Sequence, residues 1–324
     1  MRIGFTYDLR DDYRQRGLSE QEVAEFERTE TVDAIESILI SLGHDVDRIG
    51  GIDKLTARLA AGARWDLVFN LAEGLHGFAR EAQVPALLDA FRIPYTFSDG
   101  LVLAVTLHKP MTKRIVRDLG IATPDFVVVE SESEALHCSL PFPVFVKPAA
   151  GGSSIGISAA SKVFDRDQLV RVCGELLEKF TPPVLVETFL PGRELTVGLT
   201  GTGAKTRAIG VMEVRLTEKA EQGVYSYANK THYEDRVRYS LASDDVAQTA
   251  SAMAVRIWKE LGARDAGRMD FRCDAGGYVH FLEVNPLAGL DPVHSDLGVL
   301  YRLLGIPFRN LFETILASAL ERVR

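Results

Sequence analysis

Arg268-Met-Asp270-Phe-Arg272 and Phe281-Leu-Glu283-Val-Asn285-Pro286 place an arginine, two carboxylates and a carboxamide on two apolar stretches. Alternation along a strand puts Arg268, Asp270 and Arg272 on one face of the first stretch, and Glu283 and Asn285 on one face of the second. Between them, Cys273-Asp-Ala-Gly-Gly-Tyr278 carries the Asp and Gly residues of a hairpin loop, so the two polar faces are expected side by side. Hard oxygen donors of this kind suit Mg²⁺, which keeps several waters and shares its remaining positions with phosphates. The competing reading is an ordinary antiparallel pair with a solvated polar face.

Two earlier stretches add to this. Pro143-Val-Phe-Val-Lys147-Pro is an apolar strand ending in a lysine, followed by the glycine- and serine-rich Ala150-Gly-Gly152-Ser153-Ser154-Ile-Gly156. Such a loop can approach phosphate closely, with backbone N–H groups and hydroxyls as donors. It is not a Walker A loop, since no Gly-Lys-Ser/Thr follows, and the dinucleotide fingerprint is absent as well. Further along, the strand Val184-Leu-Val-Glu187 crosses through Thr-Phe189-Leu190-Pro-Gly-Arg into a new strand that opens with Glu194. Backbone groups of Phe189 and Leu190 could read the edge of adenine, Glu187 could accept from its exocyclic amine, and Glu194 from ribose hydroxyls.

In order and spacing, from about residue 66 to about 305, these segments resemble the ATP-grasp superfamily and, within it, the D-alanine–D-alanine ligase group of carboxylate–amine ligases. The resemblance implies an α/β chain of α+β lobes: a Rossmann-like pre-ATP-grasp domain over residues 1–99, a linker helix and small ATP-grasp lobe over 100–192, and a large lobe with the metal site over 193–324. It implies ATP and Mg²⁺ as cofactors, Mn²⁺ being an ion the same ligands would take. ATP would then lie on Lys109, Lys147, the Gly152-Ser153-Ser154 loop, Glu187, Phe189, Leu190 and Glu194, with Lys113 as the alternative to Lys109. The metal ligands fall on Asp270, Glu283 and Asn285, and the arginine that neutralises the reacting phosphate on Arg268. Catalysis is implied for Arg268 and the Gly289 N–H as an oxyanion site, together with Ser153 and Lys230 of the mobile loops. The reaction would phosphorylate a carboxylate and let an amine attack the resulting mixed anhydride.

The substrate positions are less regular. After Gly289 the family holds the second substrate's carboxylate; here Leu290-Asp-Pro-Val-His294-Ser295-Asp296 offers Ser295 for that contact and Asp296 toward an amine, while His294 reads equally well as a packing residue. Asn70-Leu-Ala-Glu73-Gly-Leu-His76-Gly-Phe-Ala-Arg80-Glu81 stands where the family has its His-Gly segment, offering Glu73, His76 and Glu81. Gly4-Phe-Thr-Tyr replaces the opening glycines, and Glu25, Glu27 and Glu30 compete to orient the first amino acid. In the omega loop Tyr225 and Lys230 are present, but Thr231 replaces the family's tyrosine. D-Alanyl-D-alanine synthesis is the leading expectation; another amino acid, an amine or a thiol acceptor is the alternative, and a nucleotide-binding protein without turnover is a third.

The elements that must position these groups follow from the pattern changes. Arg2–Tyr7, His44–Ile49 and Asp66–Asn70 read as strands around a long helix over Glu22–Leu42, an alternation that predicts a parallel sheet. A chain of 324 residues is long enough for two or three lobes. Its net charge of −8 with scattered basic residues argues against nucleic acid or anionic membrane as a partner. Small amino-acid-like carboxylates and amines are the partners the resemblance implies, and a homodimer is left open. Cys138, Cys173 and Cys273 are isolated, and no stretch approaches a membrane span or a signal peptide, so a reduced, cytoplasmic protein is expected.

Overall fold

The structure is a computed structural model that describes residues 1–180, 183–221, 223–224, 226, 229 and 233–323. Its first sheet is parallel, in the order β2–β1–β3, from β1 (Arg2–Tyr7), β2 (Asp45–Arg48) and β3 (Leu67–Leu71). β3 is buried along its whole length, as its apolar run requires in a covered parallel sheet. Helix Thr29–Ser41 lays Val32, Ile35 and Leu39 onto it at helical spacing. The helix begins at Thr29, not at Glu22 as expected. Ser19 and Glu22 do exchange the two bonds of a capping box. The chain then folds back: Glu27 N–H donates to the Asp8 carbonyl at 2.8 Å, and the Arg10 guanidinium donates to the carbonyls of Ala24 and Phe26. That return carries Glu25 toward the cleft.

The second sheet is antiparallel, in the order β4–β7–β5–β6, from β4 (Phe126–Val129), β5 (Val144–Pro148), β6 (Lys162–Val163) and β7 (Val184–Thr188). Helix Arg166–Lys179 covers it with Leu169, Val172, Cys173 and Leu176. The third, also antiparallel, runs β10–β9–β8–β11–β12 and comprises β8 (Glu194–Thr200), β9 (Arg207–Leu216), β10 (Val237–Ala242), β11 (Ala266–Cys273) and β12 (Val279–Asn285). Helix Asp245–Leu261 packs on it through Ala250, Ala254, Ile257 and Trp258.

Helices Gly100–Leu107 and Lys109–Asp118 lead from the first sheet to the other two; Asp99 caps the first by accepting from Val102 N–H. The carboxyl-terminal helix Arg309–Leu320 returns to the first sheet, where Phe312 stacks on Phe69 at 5.7 Å. One apolar core therefore joins both ends of the chain. Among the described residues no single helix is long and apolar enough to cross a membrane.

Candidate nucleotide and ligation site

β11 and β12 form the expected hairpin. Arg268 lies opposite Asn285 and Asp270 opposite Glu283, so the polar faces do adjoin. The register then slips, pairing Phe271 with Phe281 and leaving Leu282 as an extra residue that joins Glu283 on the cleft wall. Asp270 Oδ1 accepts from Thr196 Oγ1 at 2.8 Å, and its other oxygen from Arg268. Arg268 Nε is 3.1 Å from Asp296. Burial works against the Arg268 charge, but Asp270, Asp296 and Glu283 outweigh it and hold the guanidinium protonated. No group of three or more His, Cys, Asp or Glu among the described residues could hold an ion alone. Two carboxylates and a carboxamide on one ladder fit instead a hard ion that completes its shell with phosphate and water.

A first cavity opens between the second and third sheets, lined by Lys147, Ser154, Glu187, Phe189, Leu190, Glu194, Asp270 and Arg272. Glu187 sits between two lysines, with Oε1 2.7 Å from Lys147 Nζ and Oε2 2.8 Å from Lys113 Nζ. All three side chains are buried. Burial disfavours the Glu187 charge, yet the lysines keep its carboxyl below the usual range; burial lowers Lys113 to about 8 against the pull of Glu187. Lys113 also donates to Thr123 Oγ1 at 2.9 Å, which fixes it inside the protein, whereas Lys109 reaches the Gly151 carbonyl and stands 3.6 Å from Glu283. Of the two lysines, Lys109 is the one on a cavity wall. The Phe189 ring lies between Lys162 at 4.0 Å and Arg272 at 5.3 Å, and Arg272 pairs with Glu194 at 3.2 Å. Phe189 N–H donates to the Pro143 carbonyl at 3.1 Å, so it is not the backbone group that reads a base.

A second cavity adjoins the first and is lined by Glu25, Glu73, Glu81, Lys109, Gly152, Ser153, Asn285, Gly289 and Ser295. Arg268, Glu283 and Asp296 line both. The Gly/Ser loop arches between them with Gly151, Ser153, Ser154 and Gly156 at positive φ. At Gly152 a Cβ would come within 2.8 Å of Glu25, so glycine there is what lets its N–H meet the Glu25 carboxylate at 2.5 Å. Of the three competing glutamates, Glu25 is the one on the cavity wall. Glu27 is pushed up to about 7 by burial, and Glu30 is exposed.

Arg80, not anticipated as a site residue, organises this wall. Its guanidinium meets Glu25 at 2.9 and 3.0 Å and the Glu73 carbonyl at 2.9 Å. His76, expected beside the substrate, is exposed and lies on neither cavity wall; the turn after β3 buries Arg80 and Glu81 in its place. Tyr225, Lys230 and Thr231 fall outside the described residues.

Burial pushes Glu81 up to about 7 against Arg80, and burial with Glu81 and Glu25 pushes Glu73 well above the carboxylate range. The folded chain thus binds more protons than the unfolded one between the ordinary 4.5 of Glu81 and about 7. Stability should fall as pH rises through that window. Glu81→Gln stays neutral, so relative to wild type it should gain on the order of 2 kcal/mol between pH 5 and pH 8. Urea unfolding at the two pH values measures this; an equal difference at both would discharge Glu81 from that part.

A family model described as "D-ala D-ala ligase C-terminus" matches residues 115–317. A D-alanine–D-alanine ligase from Aquifex aeolicus is 33% identical over 300 residues, covering 92% of this chain and 96% of the relative. One from Bordetella avium is 33% identical over 280 residues, covering 85% and 84%. Among solved structures, a Bacillus anthracis D-alanine–D-alanine ligase complexed with ATP superposes with a TM-score of 0.72 at 19% identity, over 100% of this chain and 98% of that one. A D-Ala:D-Ser ligase from Enterococcus faecalis gives 0.74 at 19% identity, over 98% and 99%. With an ATP-grasp architecture and relatives of this identity along nearly its whole length, the chain belongs to the D-alanine–D-alanine ligase family of ATP-dependent ligases that form carbon–nitrogen bonds.

Proposed function

We propose that this ligase joins a small amino acid's carboxylate to an amine through an acyl phosphate, with ATP in the first cavity and both organic substrates in the second. The observation that carries the reading is that Arg268 and Glu283 line both cavities, at the junction where a terminal phosphate would meet a carboxylate. In this reading residues 1–99 supply the donor wall, 100–192 the lid over ATP and 193–324 the metal strands. Glu187, the Phe189 carbonyl and the Leu190 N–H take the adenine edge, since an ion-paired carboxylate keeps lone pairs for a further bond. Glu194 takes the ribose.

Asp270, Glu283 and Asn285 would hold Mg²⁺, which supplies charge neutralisation at the phosphate oxygens. Glu25, braced by Arg80 and the Gly152 N–H, takes the donor's ammonium. The donor carboxylate oxygen attacks the γ-phosphorus and ADP leaves; Lys109 and Lys147 offset the charge that gathers during transfer. The amine nitrogen then attacks the acyl carbon, the C–O bond to phosphate breaks with its electron pair, and inorganic phosphate departs. Arg268 and the Gly289 N–H face the oxyanion. D-Alanine is the donor favoured by the names of the relatives.

ADP and phosphate release, screened against D- and L-amino acids singly and in pairs, tests the reading: release should require a donor and rise with an acceptor. No release with any combination would overturn it. ATP should also exceed GTP in kcat/KM by roughly 5- to 150-fold, because guanine presents an oxygen to Glu187 and leaves the buried carboxylate unpaired, at about 1–3 kcal/mol. Equal use of both nucleotides would remove Glu187 from the adenine pocket.

A further inference from the structure

The donor wall of the second cavity holds three carboxylates, those of Glu25, Glu73 and Glu81, around the single guanidinium of Arg80. Arg80 Nη2 bonds both oxygens of Glu25, and Nη1 goes to the Glu73 carbonyl at 2.9 Å and the Gly74 carbonyl at 3.3 Å. Little remains for the other two acids: Glu73 Oε2 stands 3.4 Å from Nη1, and Glu81 Oε1 stands 3.9 Å from Nη2. Lys109 acts on Glu81 only through space, its ammonium being engaged with the Gly151 carbonyl and Glu283.

The Glu81 side chain is only 10% exposed, and among the described residues its one hydrogen-bond partner is the carboxyl of Glu73. Two acids bonded to each other keep a proton between them, and burial favours that proton. The pair therefore lines the cavity with more acceptor sites than protons to fill them. An alkyl side chain laid against it would cover those oxygens and repay nothing. A hydroxyl brings one donor and a further acceptor, whereas an ammonium brings three donors and no acceptor.

The place of the pair decides which substrate meets it. Glu25, which takes the donor's ammonium in the reading above, and Glu81 lie on the same nitrogen of Arg80, at 2.9 and 3.9 Å. One small molecule can therefore span both carboxylates. We propose that the donor is a short diamino acid, with its α-ammonium on Glu25 and its side-chain ammonium on the Glu73–Glu81 pair. The inference rests on the ligase reading above and adds the donor class to it. On binding, the side-chain ammonium replaces the proton held between the two acids, which passes to solvent, and the α-carboxylate is left to attack the γ-phosphorus. Alanine would put a methyl group where that ammonium belongs.

The test compares donors of matched size that differ in the side-chain amine: α,β-diaminopropionate against alanine and serine, and α,γ-diaminobutyrate against α-aminobutyrate and homoserine, each as both enantiomers. Hydroxylamine serves as acceptor throughout, so that ADP release and hydroxamate report the donor alone. The amine-bearing donor should exceed its neutral counterparts at least about tenfold in kcat/KM. Equal or better use of the alkyl or hydroxyl donor by the wild type overturns the proposal, and this comparison needs no variant. Glu81→Gln should reduce the ratio between amine-bearing and alkyl donors about tenfold or more. A ratio between two donors does not depend on how much of the protein is folded, so an unchanged ratio counts against the proposal whatever the stability of the variant. The two levels fail separately. Hydroxamate formed in preference from alkyl donors sinks the donor proposal alone, whereas no hydroxamate and no ADP with any donor sinks the ligase reading with it.

Discussion

Glu283→Gln is expected to lower ligation about a thousandfold while leaving the fold intact. Glu283 faces Asp270 across the β11–β12 ladder and stands at the junction of the two cavities. Its carboxylate supports the charge of Arg268, Lys109, Lys147 and Lys113. Glutamine keeps the shape and one oxygen but removes the negative charge that a hard cation requires. Metal and charge stabilisation of a transferring phosphoryl group supplies several kcal/mol, and about 1.4 kcal/mol is tenfold in rate. The structural cost is expected to be smaller, because the Lys109 contact is long at 3.6 Å and the Glu283 side chain is 27% exposed. Steady-state ADP release across a Mg²⁺ titration, together with Tm, checks both halves. The variant should need more Mg²⁺ for half-maximal rate and melt within a few degrees of wild type. Near-normal turnover at the same Mg²⁺ concentration would take Glu283 out of the metal site.

The β11–β12 hairpin was legible because its information is local. Alternation over five residues fixes which side chains share a face, and an Asp/Gly turn fixes that the faces adjoin; both appear as Arg268 opposite Asn285 and Asp270 opposite Glu283. The slip at Leu282 was not, since a bulge leaves the apolar alternation almost unchanged. Glu25 was one of three similar glutamates in sequence. What singles it out is contact with Arg80, 55 residues away, and with Gly152, 127 residues away. The helix was expected from Glu22, but the capping pair of Ser19 with Glu22 opens only a short turn, because Asp8 and Arg10 capture the following backbone. Asp291 is the sharpest case. In sequence it is a loop aspartate before proline, and only the folded loop shows that its side chain takes the N–H groups of Val293 and His294. An Asx-type turn before Ser295 is the signal that could have suggested it.

Glu187→Gln should be the most damaging substitution for stability, and its cost should depend on pH. The carboxylate is buried and lies 2.7 Å from Lys147 and 2.8 Å from Lys113, both buried as well. Removing one partner of a buried ion pair typically costs about 3–5 kcal/mol, because the charge left behind is uncompensated. Here two ammonium groups are left. Lys113 offers the relief: burial already lowers it to about 8 from its ordinary 10.5, and without Glu187 it should fall further and shed its proton. A lysine whose folded pKa is depressed makes the unfolded chain the better proton binder between the two values, so stability rises with pH across that window. In wild type the window runs from about 8 to 10.5, and in the variant it should begin lower. The gap between the two proteins should therefore be widest near pH 6 and shrink toward pH 9. Urea unfolding at both pH values reads it directly. A pH-independent loss below about 1 kcal/mol would mean that the Lys113–Glu187–Lys147 cluster is solvated and not the buried charge pairing described here.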